Sequence, residues 1–279
     1  MNSIVTAPPR AIIHRTAGHR HGPITRLMSP GDLGQLCKPF VFLDLFSFKD
    51  GVMPSGFGMH PHSGIVTLTY LLEGQVTYED STGQSGVLPS GGMEWMQAGN
   101  GVWHDGRPVS GAPIHGFQLW VALPAAEENA PAHSLYLAPS AIPREGPALV
   151  LLGQYGTARS NVVTPGDMNY LAVHLNDQAR WRYTPPAGHT VAWLAVSSGR
   201  LTAGDTVNAG EMVVFEESGG AIDIVAQGAT SFVLGSAVKH PHDLVMGYYS
   251  VHTSKAALEK GEKEIQRIGT VLQQEGRLA

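Results

Sequence analysis

Only one cysteine, Cys37, occurs in the 279 residues, so no disulfide can form within the chain, a composition that suits a reducing compartment. Charged side chains are also scarce, at 15%. The 18 Lys and Arg are outnumbered by 23 Asp and Glu, for a net charge of -5, and they form no cluster. Such a distribution lacks the electrostatic footprint of a protein that binds nucleic acid directly or adheres to an anionic membrane. No apolar run approaches the roughly 18 residues of a membrane-spanning helix. The opening MNSIVTAPPRAIIHRTAGHRHG also has no apolar core of the roughly 7 to 15 residues that a secretory signal needs. Together these absences predict a soluble, cytoplasmic chain with no membrane and no direct nucleic-acid partner.

Turn-formers, in contrast, are abundant: 34 Gly and 19 Pro. At that density between short apolar runs they predict an all-β protein with little helix, and the length allows two domains of roughly 100 to 200 residues each. The clearest strand signal is IVTLTYLLEGQVTYED, residues 65–80, where Val66, Leu68, Tyr70 and Leu72 share one parity and Glu73-Gly74 breaks the run into a hairpin. GVLPSGGMEWMQAG and HGFQLWVALP continue the pattern to Pro124. A weak repeat follows: the hairpin at Gly74 and then SGGMEWM at 90–96 are echoed by a hairpin at Gly199 and then AGEMVVF at 209–215. Between the two copies lies a stretch rich in Ala and Pro. These features divide the chain into a first barrel over 1–124, a linker over 125–148 and a second barrel with a terminal helix over 149–279. In that helix Leu258, Ile265, Ile268 and Leu272 are at helical spacing, with Ser254 as N-cap, Gly269 as stop and an exposed Glu259–Lys263 pair.

The chemistry is concentrated in FGMHPHSG, residues 57–64. In an extended segment, side chains two apart point to one face, so His60 and His62 are candidate metal ligands if a third arrives from elsewhere. If the strand runs unbroken through Pro61, both face the interior with the apolar set, although proline cannot donate to a ladder. GNGVWHDG, residues 99–106, supplies the third candidate, His104, which two hairpins' worth of sequence can return to a neighbouring strand. Tyr70, Trp95, Trp103, Trp120 and Met59 read as barrel packing. His115 has an open reading as a support for a ligand, and His14, His19 and His21 lie in a polar N-terminal segment. KHPHDL, residues 239–244, offers a second histidine pair, but no histidine from Thr190 to Val238 can complete it. His240 and His242 are therefore read as packing, and the second barrel as metal-free.

HxH followed by a spaced third histidine within an all-β pattern resembles the metal site of a cupin barrel. With KPFVFLDLF (38–46), FGMHPHSG, TLTYLLEG (67–74), EWMQAGNGVWH (94–104), HGFQLWV (115–121) and, more weakly, GYYSVHTS (247–254), the chain resembles the pirin family. That resemblance implies two tandem cupin (double-stranded β-helix) barrels with a C-terminal helix. It also implies one divalent transition metal in the first barrel, with iron the first choice and nickel, zinc, manganese, cobalt or copper as alternatives. Two roles follow from it: a quercetin 2,3-dioxygenase-like activity on a small enol or phenol, or binding to a transcription factor as a co-regulator. The family pattern puts a glutamate where this chain has Gly106, and the general cupin pattern puts one where it has Val66. Both carboxylates are missing. Asp105, and less readily Glu94, are the substitutes to consider. Three neutral imidazoles would leave a divalent ion its full charge, a stronger Lewis acid that is held less tightly, and the role of base would be vacant.

Overall fold

The computed structural model describes residues 10–49, 58–109 and 111–278. Two compact units emerge, and they do not follow the divisions expected from composition. One comprises His19–Ile142 with His240–Ala279; the other comprises the chain through Gly18 with Pro143–Lys239. Both chain ends are exchanged. The strand Ile12–Thr16 pairs with Met212–Phe215, and the terminal helix is part of the unit that carries His60. The expected linker 125–148 is largely structured as well: His133–Leu137 pairs with Met93–Gln97, and Arg144–Glu145 pairs with Ala148–Leu152. These short edge strands alternate weakly and are flanked by proline, so periodicity does not reveal them.

Each unit is built from a seven-stranded and a four-stranded antiparallel sheet. In the first, the order of the large sheet is His133–Leu137, Met93–Gln97, Ile65–Glu73, Ile114–Ala122, Phe40–Phe48, Ile24–Met28 and His19–His21. The small sheet runs His60–His62, Val102–Pro108, Val76–Asp80 and Ser85–Leu88. Leu71, Ile114 and Phe48 from the large sheet meet Leu88 from the small one in a shared core. In the other unit, Trp181, Tyr183, Leu194, Phe215, Ile224 and Phe232 fill the interior from both sheets. The repeat seen in the sequence is structural. Met93–Gln97 pairs with Ile65–Glu73 just as Met212–Phe215 pairs with Val191–Ser198, but the expected hairpins are sheet crossings: at a left-handed glycine, Gly74 (φ +86) or Gly199 (φ +78), the chain passes from the large sheet to the small one.

The extended run through Pro61 is corrected. His60–His62 is a separate three-residue strand in the small sheet, and the chain crosses to the large sheet through Gly64, whose φ is +72. Any Cβ there would lie 2.1 Å from the Val251 carbonyl oxygen, so glycine is required. Pro61 is tolerated because this strand is at a sheet edge.

The terminal helix is Lys255–Gln274, capped by the Ser254 side chain, which accepts from the Ala257 amide. It does not stop at Gly269. Its buried stripe is Gly261, Ile265, Gly269 and Leu272. The glycines belong to the docking face: a Cβ on Gly269 would lie 2.9 Å from the Trp103 ring, and one on Gly261 would lie 2.5 Å from Ser63 Oγ. Trp103 Nε1 donates to the Ile265 carbonyl at 2.9 Å, so this tryptophan holds the helix. The exposed pair is Glu264–Arg267 at 2.7 Å. His240 and His242 sit on the same tail: the His240 amide donates to the Lys38 carbonyl at 3.2 Å, and Lys38 Nζ donates to the His242 carbonyl at 2.5 Å.

Gly261→Ala tests the docking. At an unconstrained helical position the change would stabilise by about 1 kcal/mol. Against Ser63 and His252 it should instead destabilise, by about 1–3 kcal/mol, as overpacking does. A rise in Tm would contradict the fit.

Candidate metal centre

His104 lies directly across the antiparallel pair from His60, and Val102 lies across from His62. That register places all three imidazoles on one face of the small sheet, since cross-strand partners and i, i+2 neighbours share a side. Among the described residues, His60, His62 and His104 are the group whose nitrogens all lie within 4.8 Å of one another in a way that could hold a metal ion. His62 and His104 are buried at 1% and 6% exposure, and His60 is half-buried.

Each ring is held from behind. His60 Nδ1 is 2.8 Å from the Gly58 carbonyl oxygen, and His62 Nδ1 is 3.0 Å from that of Tyr249. His104 Nδ1 faces Glu94 Oε1 at 3.4 Å. Carbonyl and carboxylate oxygens only accept, so in all three rings the Nδ1 carries a proton, and in the neutral form of each ring the Nε2 presents a lone pair. His60 and His104 Nε2 are nevertheless 3.0 Å apart, and His62 Nε2 is buried with no partner. Two lone pairs at hydrogen-bond distance with no proton between them repel. A cation placed between them removes the repulsion and satisfies the third nitrogen. The spacing also fits, because nitrogens about 2.1 Å from an ion and at right angles to one another lie about 3.0 Å apart. Burial lowers the His60 pKa to about 4, with the His104 charge acting in the same direction, and burial also holds His62 well below its ordinary value. Both imidazoles are neutral at pH 7, as ligation requires.

Glu94 comes within reach of the site, but from behind His104. Its carboxylate accepts from Thr69 Oγ1 at 2.6 Å and is at 3.4 Å from Tyr136 Oη, which also donates to Asp80 Oδ2 at 3.2 Å. Burial pushes the Glu94 pKa up, but His104 and Thr69 together outweigh it, so the carboxyl titrates below its usual range and stays ionised. Burial, then Glu94 and Asp80, raise Tyr136, which remains a donor. An anion behind the Nδ1–H increases the basicity of a ligating imidazole. Asp105 is turned to Arg107, whose Nε donates to its Oδ2 at 2.6 Å. Gly106 shares the parity of His104, and Val66 is fully buried in the large sheet.

Trp120, read from sequence as packing, stacks on Phe42 at 4.1 Å and puts its ring 5.1 Å from His62, forming an apolar wall beside the site. Trp95 and Tyr70 are core residues. His115 does not support a ligand; its Nδ1 meets the Phe46 carbonyl at 3.1 Å. His14, His19 and His21 are exposed on strands far out in sequence from the cluster. Tyr249 was not singled out by sequence reasoning, and the only signal was its place in the weakly matching GYYSVHTS.

The pirin family model matches residues 23–121, which include all three histidines. A pirin-like protein of Caulobacter vibrioides is 35% identical over 196 residues, covering 67% of this chain and 70% of that protein. The chain belongs to the pirin family. Two solved structures resemble this pirin: a quercetin 2,3-dioxygenase from Acinetobacter baumannii, at a TM-score of 0.82 and 23% identity over 94% of this chain and 96% of that one, and the bacterial pirin YhhW from Escherichia coli in complex with nickel(II), at 0.64 and 21% over 83% and 98%. At those identities the likeness establishes the fold, an all-β pair of cupin units with a C-terminal helix.

Glu94→Gln keeps the size of the side chain and removes its charge. Loss of such outer support typically costs about 10- to 100-fold in metal affinity. A chelator-competition titration should show a loss of that order, and equal affinities would mean that Glu94 does not act through His104.

Proposed function

We propose that this pirin binds one divalent transition metal through His60, His62 and His104 and uses it to act on a small enol or phenol of the quercetin type. The observation that carries the proposal is the pair of Nε2 atoms 3.0 Å apart, with the unpartnered His62 Nε2 beside them. Iron is the first choice of ion, with nickel close behind; neutral nitrogen donors suit several first-row ions. When bound, such an ion is a Lewis acid for oxygen anions. The chain's own residues hold the rings by their Nδ1 atoms, and Trp120 supplies a dry wall. No carboxylate stands where a base for the substrate hydroxyl is expected, because Gly106 occupies that position. The reaction is therefore matched to substrates that are already acidic.

Gly106 also favours a second reading, in which the metal is kept for binding and the protein serves a partner such as a transcription factor. Turnover separates the two. Loss of a general base alone costs about 10²- to 10⁴-fold, so quercetin cleavage should be weak. An ordinary enzymatic rate, on the order of 10 per second, would contradict this account of Gly106. Gly106→Glu should tighten metal binding, with Val76 Cγ1, 3.4 Å from the added Cβ, giving way slightly.

Metal content tests the site itself. One ion per chain is expected, lost in both His62→Ala and His104→Ala. Unchanged content in both variants would overturn the proposal.

A further inference from the structure

Tyr249 has a backbone conformation that its side chain disfavours. It is the second central residue of the two-residue turn between Val245–Gly247 and Ser250–His252, and its φ is +52. Glycine or asparagine is the ordinary occupant of such a position. Strain of this kind persists only where surrounding structure imposes it, and it concentrates at functional sites. The surroundings here are explicit. Ser63, next to His62, bridges to Ser250, and its carbonyl accepts from the Val251 amide at 3.3 Å. Ser63 Oγ is 2.9 Å from both Ser250 Oγ and His252 Nε2. His252 Nδ1 lies 3.2 Å from Glu128 Oε2, and Glu128 also accepts from the Thr253 amide at 2.6 Å and from its hydroxyl at 2.7 Å. All of this network except Thr253 is buried. The hairpin is thus bolted to the strand that carries His60 and His62.

Two features of Tyr249 meet the metal site. Its carbonyl fixes the His62 ring, as described above. Its side chain lies 5.7 Å from the His60 ring and 5.9 Å from the His62 ring, yet is 42% exposed. Tyr248 packs edge-on against it at 4.5 Å and is 70% exposed. The carbonyl alone would not require a tyrosine, since glycine would present the same oxygen without strain. What the strained residue adds is a partly exposed aromatic face beside the histidine cluster.

We propose that Tyr249 is a specificity-determining residue: a planar aromatic ligand whose ionised oxygen meets the metal stacks on its ring, and Tyr248 extends that face. This rests on the phenolic reading of the site given above. Offset or edge-on aromatic contact adds to the apolar area removed from water, so the preference is for flat aromatic anions over small inorganic ones.

The test uses full-length protein loaded with nickel, titrated without oxygen with quercetin and separately with azide, which needs the ion but not the ring. Tyr249→Gly keeps the carbonyl, relieves the strain and removes the ring. Quercetin affinity should fall about tenfold or more, azide affinity should stay within about twofold, and Tm should not drop; a tenfold loss corresponds to about 1.4 kcal/mol. Tyr249→Phe should retain quercetin affinity. Should Tyr249→Gly fail to fold, Tyr249→Leu, which keeps bulk and strain without the ring, should show the same selective loss. Unchanged quercetin affinity, or equal losses for both ligands, would overturn the role of the ring. Wild-type protein that binds azide but not quercetin would overturn the phenolic reading, and this proposal with it, before any substitution is made.

Discussion

The site depends on a conflict between two nitrogens. His60 and His104 are placed across from each other by strand register, and each has its proton drawn to Nδ1, by the Gly58 carbonyl and by Glu94. Their remaining lone pairs are then forced to within 3.0 Å. A neutral ring could place a proton between them only by releasing its rear partner, which for His104 would leave a buried carboxylate facing a lone pair, and burial disfavours the doubly protonated form at His60. A divalent ion relieves the conflict without disturbing either partner. The surrounding structure keeps the conflict in place: Gly64 allows the sheet change, Trp103 and the helix glycines brace the neighbouring strand, and the tail brings the Tyr249 carbonyl to His62.

Charge is placed unusually for a metal site. The expected anionic ligand is absent, yet an anion is retained one layer out, where Glu94, Tyr136 and Asp80 form a connected, largely buried group. A carboxylate at that distance strengthens the donor without neutralising the ion directly. An ion bound by the three histidines would keep its attraction for oxygen anions, in keeping with the proposed preference for substrates that arrive ionised.

Much of this was legible in the chain. The two-copy repeat appears because turn glycines and the following Met-containing strands recur at matching places, and the three histidines stand out because an i, i+2 pair is followed by a third histidine within the same β pattern. Other features were hidden for identifiable reasons. Parity through Pro61 placed the pair correctly but on the wrong sheet, because a single left-handed glycine, Gly64, redirects the chain. Glu94 was weighed only as a substitute ligand and not as a partner for the far nitrogen of His104. Gly269 read as a helix stop although it serves as a contact surface for Trp103, since sequence does not distinguish a glycine chosen for conformation from one chosen for size. The exchange of chain ends depends on pairing across about 200 residues, as in Ile12 with Phe215, which local patterns cannot carry.

X-ray absorption on the metal-loaded wild-type protein tests the central claim most directly. The account predicts three imidazole nitrogens at about 2.0–2.1 Å, with the remaining positions filled by solvent oxygen that small anions displace. A protein carboxylate in the coordination shell, or fewer than three imidazoles, would contradict it.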